Sequence, residues 1–404
     1  MDRASQAMTQ LLYAIFFLSG VSALLFETLW FHQAGLVLGN SVWTSSLVLA
    51  GFMGGLAIGN GLAGPLGNRA RKPVHSYAFL ELVIGLTGAG IVFLLPHVTP
   101  ILVPLFRPLL DHSTVLNVVR LAMAFPLLLM PSVAMGATLP VLMAAVVDRN
   151  IQFGRVLGQL YGWNVLGAVA GSLVGELLLI KWLGVRGAAL AAASLNVLIA
   201  CIALKLSQET ETVPRQPSPI LVSVSVKHVS LLAAACVSGA ILLALEVVWC
   251  RFLLLFIDGT SFVFAMMLSI VLAGIGAGGL FGSLWGSSQR NVKSALPCLA
   301  LASGAACLLC YVQLGGVVES LRGFSSTRLM TTLQLSVPLM LPVSVLSGLL
   351  FTLLGETFHR TMAGATYAAG LLTLANTTGA MLGSILEAVV LLPRCAALVV
   401  RSGS

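Results

Sequence analysis

The chain has 404 residues, of which 58% are Ala, Val, Ile, Leu, Met, Phe, Trp, Tyr or Cys and only 8% are Asp, Glu, Lys or Arg. A soluble domain is about 45–50% apolar and about 25% charged, so this composition excludes a soluble enzyme and a disordered chain. The formal charge of +8 does not indicate a nucleic-acid partner, because the basic residues recur singly or in threes between apolar runs, as membrane topology requires.

A helix that crosses a bilayer needs about 20 mostly apolar residues. Eleven stretches qualify: 11–31, 42–64, 76–96, 117–147, 157–183, 187–206, 229–250, 261–285, 293–314, 328–355 and 364–392. The stretch 98–110 carries Pro100, Pro104 and Pro108 and reads as a loop or interfacial segment. Pro126, Pro131, Pro338 and Pro342 fall inside long runs and should kink the fourth and tenth spans. Val21-Ser22-Ala23 mimics a signal-peptide cleavage site, but the same segment recurs mid-chain, which favours a retained first span. Lys and Arg are slightly enriched on the side that carries the N-terminus, led by Arg69, Arg71 and Lys72 and by the polar linker 207–228. That bias favours a cytoplasmic N-terminus in a multi-pass protein of the cell membrane, inner or plasma.

Cys307 and Cys310 form a CLLC string with no polar neighbour to stabilise a thiolate, so they read as small apolar filling. His32, His75, His97 and His112 lack metal-ligand spacing. No metal or cofactor is expected. Trp30, Trp43, Trp182, Trp249 and Trp285 lie near span ends, where an aromatic belt would put them.

The strongest organisational signal is internal similarity across the linker. SGVSALLFETLWF (19–31) matches SGAILLALEVVWC (238–250) at an offset of 219, placing Ser19, Gly20, Glu27 and Trp30 on Ser238, Gly239, Glu246 and Trp249. LAGFMGGLAIG (49–59) matches LAGIGAGGLFG (272–282) at 223, and NVLGAVAGS (164–172) matches NTTGAMLGS (376–384) at 212. The last pairing sets Asn164 on Asn376. Two units of six spans are implied, 1–206 and 229–404, with 207–228 as a cytoplasmic linker. The second unit holds only five spans and the stub PRCAALVVRSGS, so a twelfth helix is missing or truncated. Parallel six-span repeats joined by a long linker are the plan of the major facilitator superfamily. The fold class expected is therefore an all-α polytopic membrane protein of that type.

The glycine ladders of the second, fifth and eighth spans let helix backbones approach closely, either as static packing or as a moving contact. The loop Gly64-Pro-Leu-Gly-Asn68-Arg69-Ala-Arg71-Lys72 resembles the signature loop of the superfamily, which latches the halves on the cytoplasmic side. Asn68 stands where that loop has an acid, and a positive-inside anchor explains the charges equally well.

Carboxylates inside the membrane are costly, at about 2.5–3.5 kcal/mol for an Asp at a helix centre on insertion scales. Glu27, Glu81, Glu176, Glu246 and Glu387 sit in or near apolar runs. Glu27 and Glu246 occupy equivalent places in the first helix of each unit, so they are expected to face each other across a central cavity. Two roles fit them, a cation or proton-coupling site and a tie between neighbouring helices. Glu81 and Glu176 are weaker candidates of the same kind. Arg120 either balances a carboxylate or snorkels to the interface, and Asn164 and Asn376 either bind substrate or bridge helices.

FLSGVSALLFETLWF, LAGFMGGLAIGNGLAG, MGATLP (135–140) and NVLGAVAGSLVGELLLIKWLGVRG resemble the membrane portion of bacterial fused major-facilitator/spermidine-synthase proteins. The resemblance implies a membrane part that commonly precedes a cytosolic aminopropyltransferase domain, which builds polyamines. No stretch here is long and polar enough for that domain, so aminopropyl transfer by this chain is not expected. The resemblance leaves a transporter of polyamines or other organic cations, or a non-transporting anchor or regulator of a cytosolic aminopropyltransferase.

Overall fold

A computed structural model describes residues 3–38, 42–69, 72–109, 112–147, 153–209, 226–257, 260–286, 292–321, 327–362 and 364–387. These residues form eleven α-helices and no strand. They are α1 (Arg3–Leu38), α2 (Val42–Arg69), α3 (Pro73–Phe106), α4 (Ser113–Val146), α5 (Phe153–Val174), α6 (Ile180–Glu209), α7 (Val226–Leu254), α8 (Thr260–Gly286), α9 (Val292–Leu321), α10 (Arg328–His359) and α11 (Ala365–Leu386). Every predicted span corresponds to one helix. The predicted stub after 392 and most of the linker lie outside the described residues, as do Arg71 and the side chains of Asn68 and Arg69.

Nine segments among the described residues are long and apolar enough to cross a membrane. One of them, Phe153–Gln208, turns in the middle, because Gly184 adopts φ 68° and ψ 176° inside the helical run. Only glycine takes that backbone freely, so the helical run that continues from α5 through a π-helical turn at Gly175–Leu179 breaks at Gly184, in the first turns of α6, and the rest of α6 returns from there.

The stretch 98–110 departs from the sequence reading. It is not a loop: α3 continues to Phe106 through Pro96, Pro100 and Pro104 and closes with a 3-10 turn at Arg107–Leu109. The three prolines are four residues apart and so share one helix face. Each deletes a donor on that face alone, and the opposite face keeps its hydrogen-bond ladder.

Close helix crossings repeat between the two halves of the chain. A Cβ on Gly20 would overlap the carbonyl oxygen of Asn164, and one on Gly239 would overlap that of Asn376. Gly167 and Gly171 abut the carbonyls of Phe17 and Val21, as Gly379 and Gly383 abut those of Cys236 and Ala240. The crossing of α2 on α4 recurs as α8 on α10, with Gly59 against Val133 matched by Gly278 against Val345, and Gly136 against Leu56 matched by Gly348 against Ile275. These contacts also correct the register of the second helix pair. Gly55 meets Ser132 as Gly274 meets Ser344, so Gly55 is equivalent to Gly274 at the offset of 219 found for α1 and α7, one helical turn from the 223 alignment. The glycine ladder repeats every four residues, so string matching cannot tell one turn from the next; the carbonyl that each glycine faces can.

The halves meet along two equivalent seams, α5 on α8 and α2 on α11. A Cβ on Gly158 would press on the carbonyl of Gly279, and one on Gly370 on that of Asn60. Gly162 takes Leu280 and Gly61 takes Leu374, equivalent position pairs in which the first half supplies the hollow and the second the knob both times. Glycine here brings the two halves to backbone contact.

Candidate functional site

Glu27 on α1 and Glu246 on α7 are both buried, at 8% and 7% exposure. They lie within electrostatic reach of each other. Neither makes a hydrogen bond or ion pair to another described residue. Glu27 opens on a small pocket lined by Trp30 and Phe31 of α1, Val48, Leu49 and Phe52 of α2 and Leu128 of α4. Tyr161 of α5 is in electrostatic reach of Glu246 and packs its ring on Phe351 of α10, centroids 4.8 Å apart. Across the same seam Phe31 stacks on Phe264 of α8 at 4.0 Å and an interplanar angle of 4°. The surroundings are one mixed core in which Leu49 and Val165 join Trp249, Leu253 and Met267. The pocket beside Glu27 is thus apolar, aromatic-walled and built from the first half alone, while Glu246 lies close to Tyr161 of that half.

Trp30 and Trp249 are not belt residues. They are 2% and 4% exposed, whereas Trp182 is 76% exposed and Trp285 47%. Trp30 donates from Nε1 to the Gly88 carbonyl at 3.1 Å and stacks on Phe26 at 5.6 Å. An indole can be buried once its N–H has an acceptor, and Gly88, where a Cβ would strike the Phe26 ring, supplies both acceptor and room.

The other candidates are dispersed. Glu81 is fully buried between α1 and α3, where its Oε1 accepts from Ser19 Oγ at 2.6 Å. Glu176 is half-buried in the π-helical turn, and Arg120 is half-buried on α4. Asn164 donates from Nδ2 to the Phe16 carbonyl at 2.9 Å, tying α5 to α1, and Asn376 occupies the matching crossing of α11 on α7. Gly64 packs against Tyr367 of α11 at the inter-half seam, and Lys72 is exposed. Among the described residues no group of three His, Cys, Asp or Glu could hold a metal.

Sequence reasoning passed over a second contact between the halves. Glu356 of α10 accepts from the Gly154 backbone N–H at 2.5 Å and from Arg360 Nε at 2.8 Å. Gly154 lies in the first turn of α5, whose N–H groups have no intrahelical acceptor, so the carboxylate caps the helix of the other half. Beside it His359 stacks on Phe153 at 4.2 Å, and His228 of α7 hydrogen-bonds the Thr361 carbonyl at 3.0 Å. Glu356 and His359 thus join α10 to the start of α5. The i,i+4 pair Glu356 and Arg360 at a span end was a readable signal, but its partner 202 residues away was not.

No known protein family profile matches the chain. A polyamine aminopropyltransferase of Corynebacterium efficiens is 27% identical over 192 residues, covering 46% of this chain and 34% of that protein. The chain therefore spans about a third of the length of this curated relative. Among solved structures, the fucose:proton symporter FucP of E. coli superposes with a TM-score of 0.57 at 16% identity, over 95% of this chain and 92% of that one. Likeness at that identity shows the fold. The chain is a multi-pass, all-α membrane protein with a major-facilitator-like fold.

Proposed function

We propose that the chain is a secondary transporter of a small organic cation, of polyamine class, and that Glu27 and Glu246 are the acids that receive it. The observation that carries this reading is a pair of buried carboxylates on equivalent helices, Glu246 within electrostatic reach of Glu27, with no cation or donor of the described residues bonded to either. Two like charges in a low-dielectric seam repel, and a bound cation relieves both at once. Because one acid belongs to each half, rocking of 1–206 against 229–404 changes the separation of the two acids and so couples occupancy to the side that is open. The Glu356 contact with Gly154 belongs to the state closed at that end. In this reading the linker 207–228 and the N-terminus are cytoplasmic, the protein sits in the cell membrane, and no cofactor takes part.

The test is uptake of radiolabelled putrescine and spermidine into proteoliposomes. Wild type is expected to show saturable, gradient-dependent uptake, and Glu27→Gln and Glu246→Gln each to reduce it at least about tenfold, the cost of one charge-assisted contact. Unchanged uptake in both variants, or none in wild type, removes the proposal.

The aligned stretch of the aminopropyltransferase favours a second reading, a non-transporting membrane anchor or regulator of a cytosolic aminopropyltransferase. Stable co-purification of such an enzyme with a chain that takes up no cation would select it.

A further inference from the structure

A second buried acidic centre lies inside the first half, away from the seam. Ser19 faces it from α1, Tyr77 and Glu81 from α3, and Asn196 from α6. Tyr77, Glu81 and Asn196 are all 0% exposed and Ser19 5%. Ser19 Oγ donates to Glu81 Oε1 at 2.6 Å, while Ser22 Oγ donates to the Ser19 carbonyl at 2.9 Å and so fixes that turn of α1. The Tyr77 hydroxyl lies beside Ser19 and Glu81. Tyr77, Glu81 and Gly85 follow one another at four-residue spacing, on one face of α3. Asn196 packs on that face, its Cβ 3.0 Å from where a Cβ on Gly85 would stand.

Four groups at this point make no hydrogen bond among the described residues: Glu81 Oε2, Tyr77 Oη, and both Oδ1 and Nδ2 of Asn196. Buried polar groups are paired in the great majority of cases, and here an unpaired carboxylate oxygen, the phenol hydroxyl beside it and an unpaired amide that packs one turn further along the same face of α3 gather in one buried region. The cluster is not a requirement of the fold. Ser19 recurs as Ser238, but α9, which pairs with α10 as α3 pairs with α4, carries no acid before Glu319. Packing in the second half proceeds without it.

We propose that Ser19, Tyr77, Glu81 and Asn196 form a binding site for one small monovalent metal cation of the sodium class, distinct from the Glu27 and Glu246 centre. The available donors are all hard oxygens: two from the carboxylate, two hydroxyls and one amide carbonyl. Oxygen ligands select alkali and alkaline-earth ions over softer metals. The single formal negative charge balances one positive charge, whereas a divalent ion would leave an uncompensated charge in the membrane interior. Ser19 and Glu27 share α1 and lie eight residues apart, so the ion would fix the helix that also carries the central acid.

The test is equilibrium binding of radioactive sodium to the purified full chain in detergent, with choline chloride holding ionic strength. Wild type is expected to bind about one sodium per chain, displaced by lithium and not by choline. Glu81→Gln is expected to abolish binding, and Tyr77→Phe, which keeps the ring against Phe16, to weaken it at least tenfold. Glu27→Gln and Glu246→Gln are expected to retain it, which separates this site from the central one. The proposal is overturned if monodisperse wild type binds no sodium, as it would if only water or a proton occupied the cluster. It is also overturned if binding survives Glu81→Gln, or if it disappears in Glu27→Gln and not in Tyr77→Phe.

Discussion

The two halves repeat each other crossing by crossing yet sit in different surroundings. In the first half α6 lies against both α1 and α3, presenting a small-residue face of Ala188, Ala189, Ala192, Ala200 and Ala203 that is wholly buried. In the second half the described residues offer no such helix to α7 and α9, and Val237, Ile241, Leu301 and Leu308 face outward. The most apolar windows of α3 and α9 have nearly the same hydropathy, 2.2 and 2.0, but half of the first is buried and only 6% of the second. Hydropathy therefore reports that a helix avoids water. Whether it meets protein or lipid is decided by its neighbours, since lipid tails are as apolar as leucine.

The repeated crossings give the largest expected effect. Gly20→Val and Gly239→Val each push a side chain into the carbonyl of an asparagine on the partner helix, and overpacking costs about 1–3 kcal/mol or more where backbone must move. Both variants should lose thermal stability in detergent by similar amounts. If one half tolerated the change and the other did not, the equivalence of the crossings would fail.

A middle-sized effect should come from Glu356→Gln. It weakens a charged acceptor that the first half has no counterpart for, since Ala144 stands at the matching position. Hydrogen bonds to charged groups are worth about 1.5–3 kcal/mol, enough to shift a two-state equilibrium about tenfold or more. Spin labels at Arg155→Cys and Lys227→Cys, in a background without the natural cysteines, should show a longer distance in the variant. An unchanged distance would make Glu356 a local cap with no role in closure.

The smallest effects belong to glycines outside the crossings. A Cβ on Gly90 or Gly304 meets nothing within 4 Å. Gly90→Ala and Gly304→Ala should leave melting temperature unchanged or raise it slightly, by up to about 1 kcal/mol of helix propensity. A large loss at either would mean that these faces pack on something.

Much of the fold was legible in the sequence, because eleven apolar runs leave a chain in lipid little choice but helices with internally satisfied backbones. The errors have separate causes. The first span was read from its apolar window although α1 starts at Arg3, the end of α3 was rejected for prolines that the helix carries to Phe106, and the glycine register slipped by one turn because the ladder repeats every four residues. The central acids were legible because duplication set Glu27 on Glu246. The partners of the other acids were not: Ser19 and Glu81 are 62 residues apart, and Gly154 and Glu356 are 202 apart. No local pattern encodes such pairs.

By itself the sequence determined that this protein is an all-helical, multi-pass membrane protein and offered the strings that match between its first and second parts, because apolar length and repeated strings are one-dimensional properties. Only the tertiary structure decided which glycine faces which carbonyl, which tryptophans are internal, and that Glu81 pairs with Ser19 within the first half while Glu356 caps a helix of the other half. Those outcomes depend on the rotation of each helix about its own axis, and that angle is set by the surfaces the helix packs against.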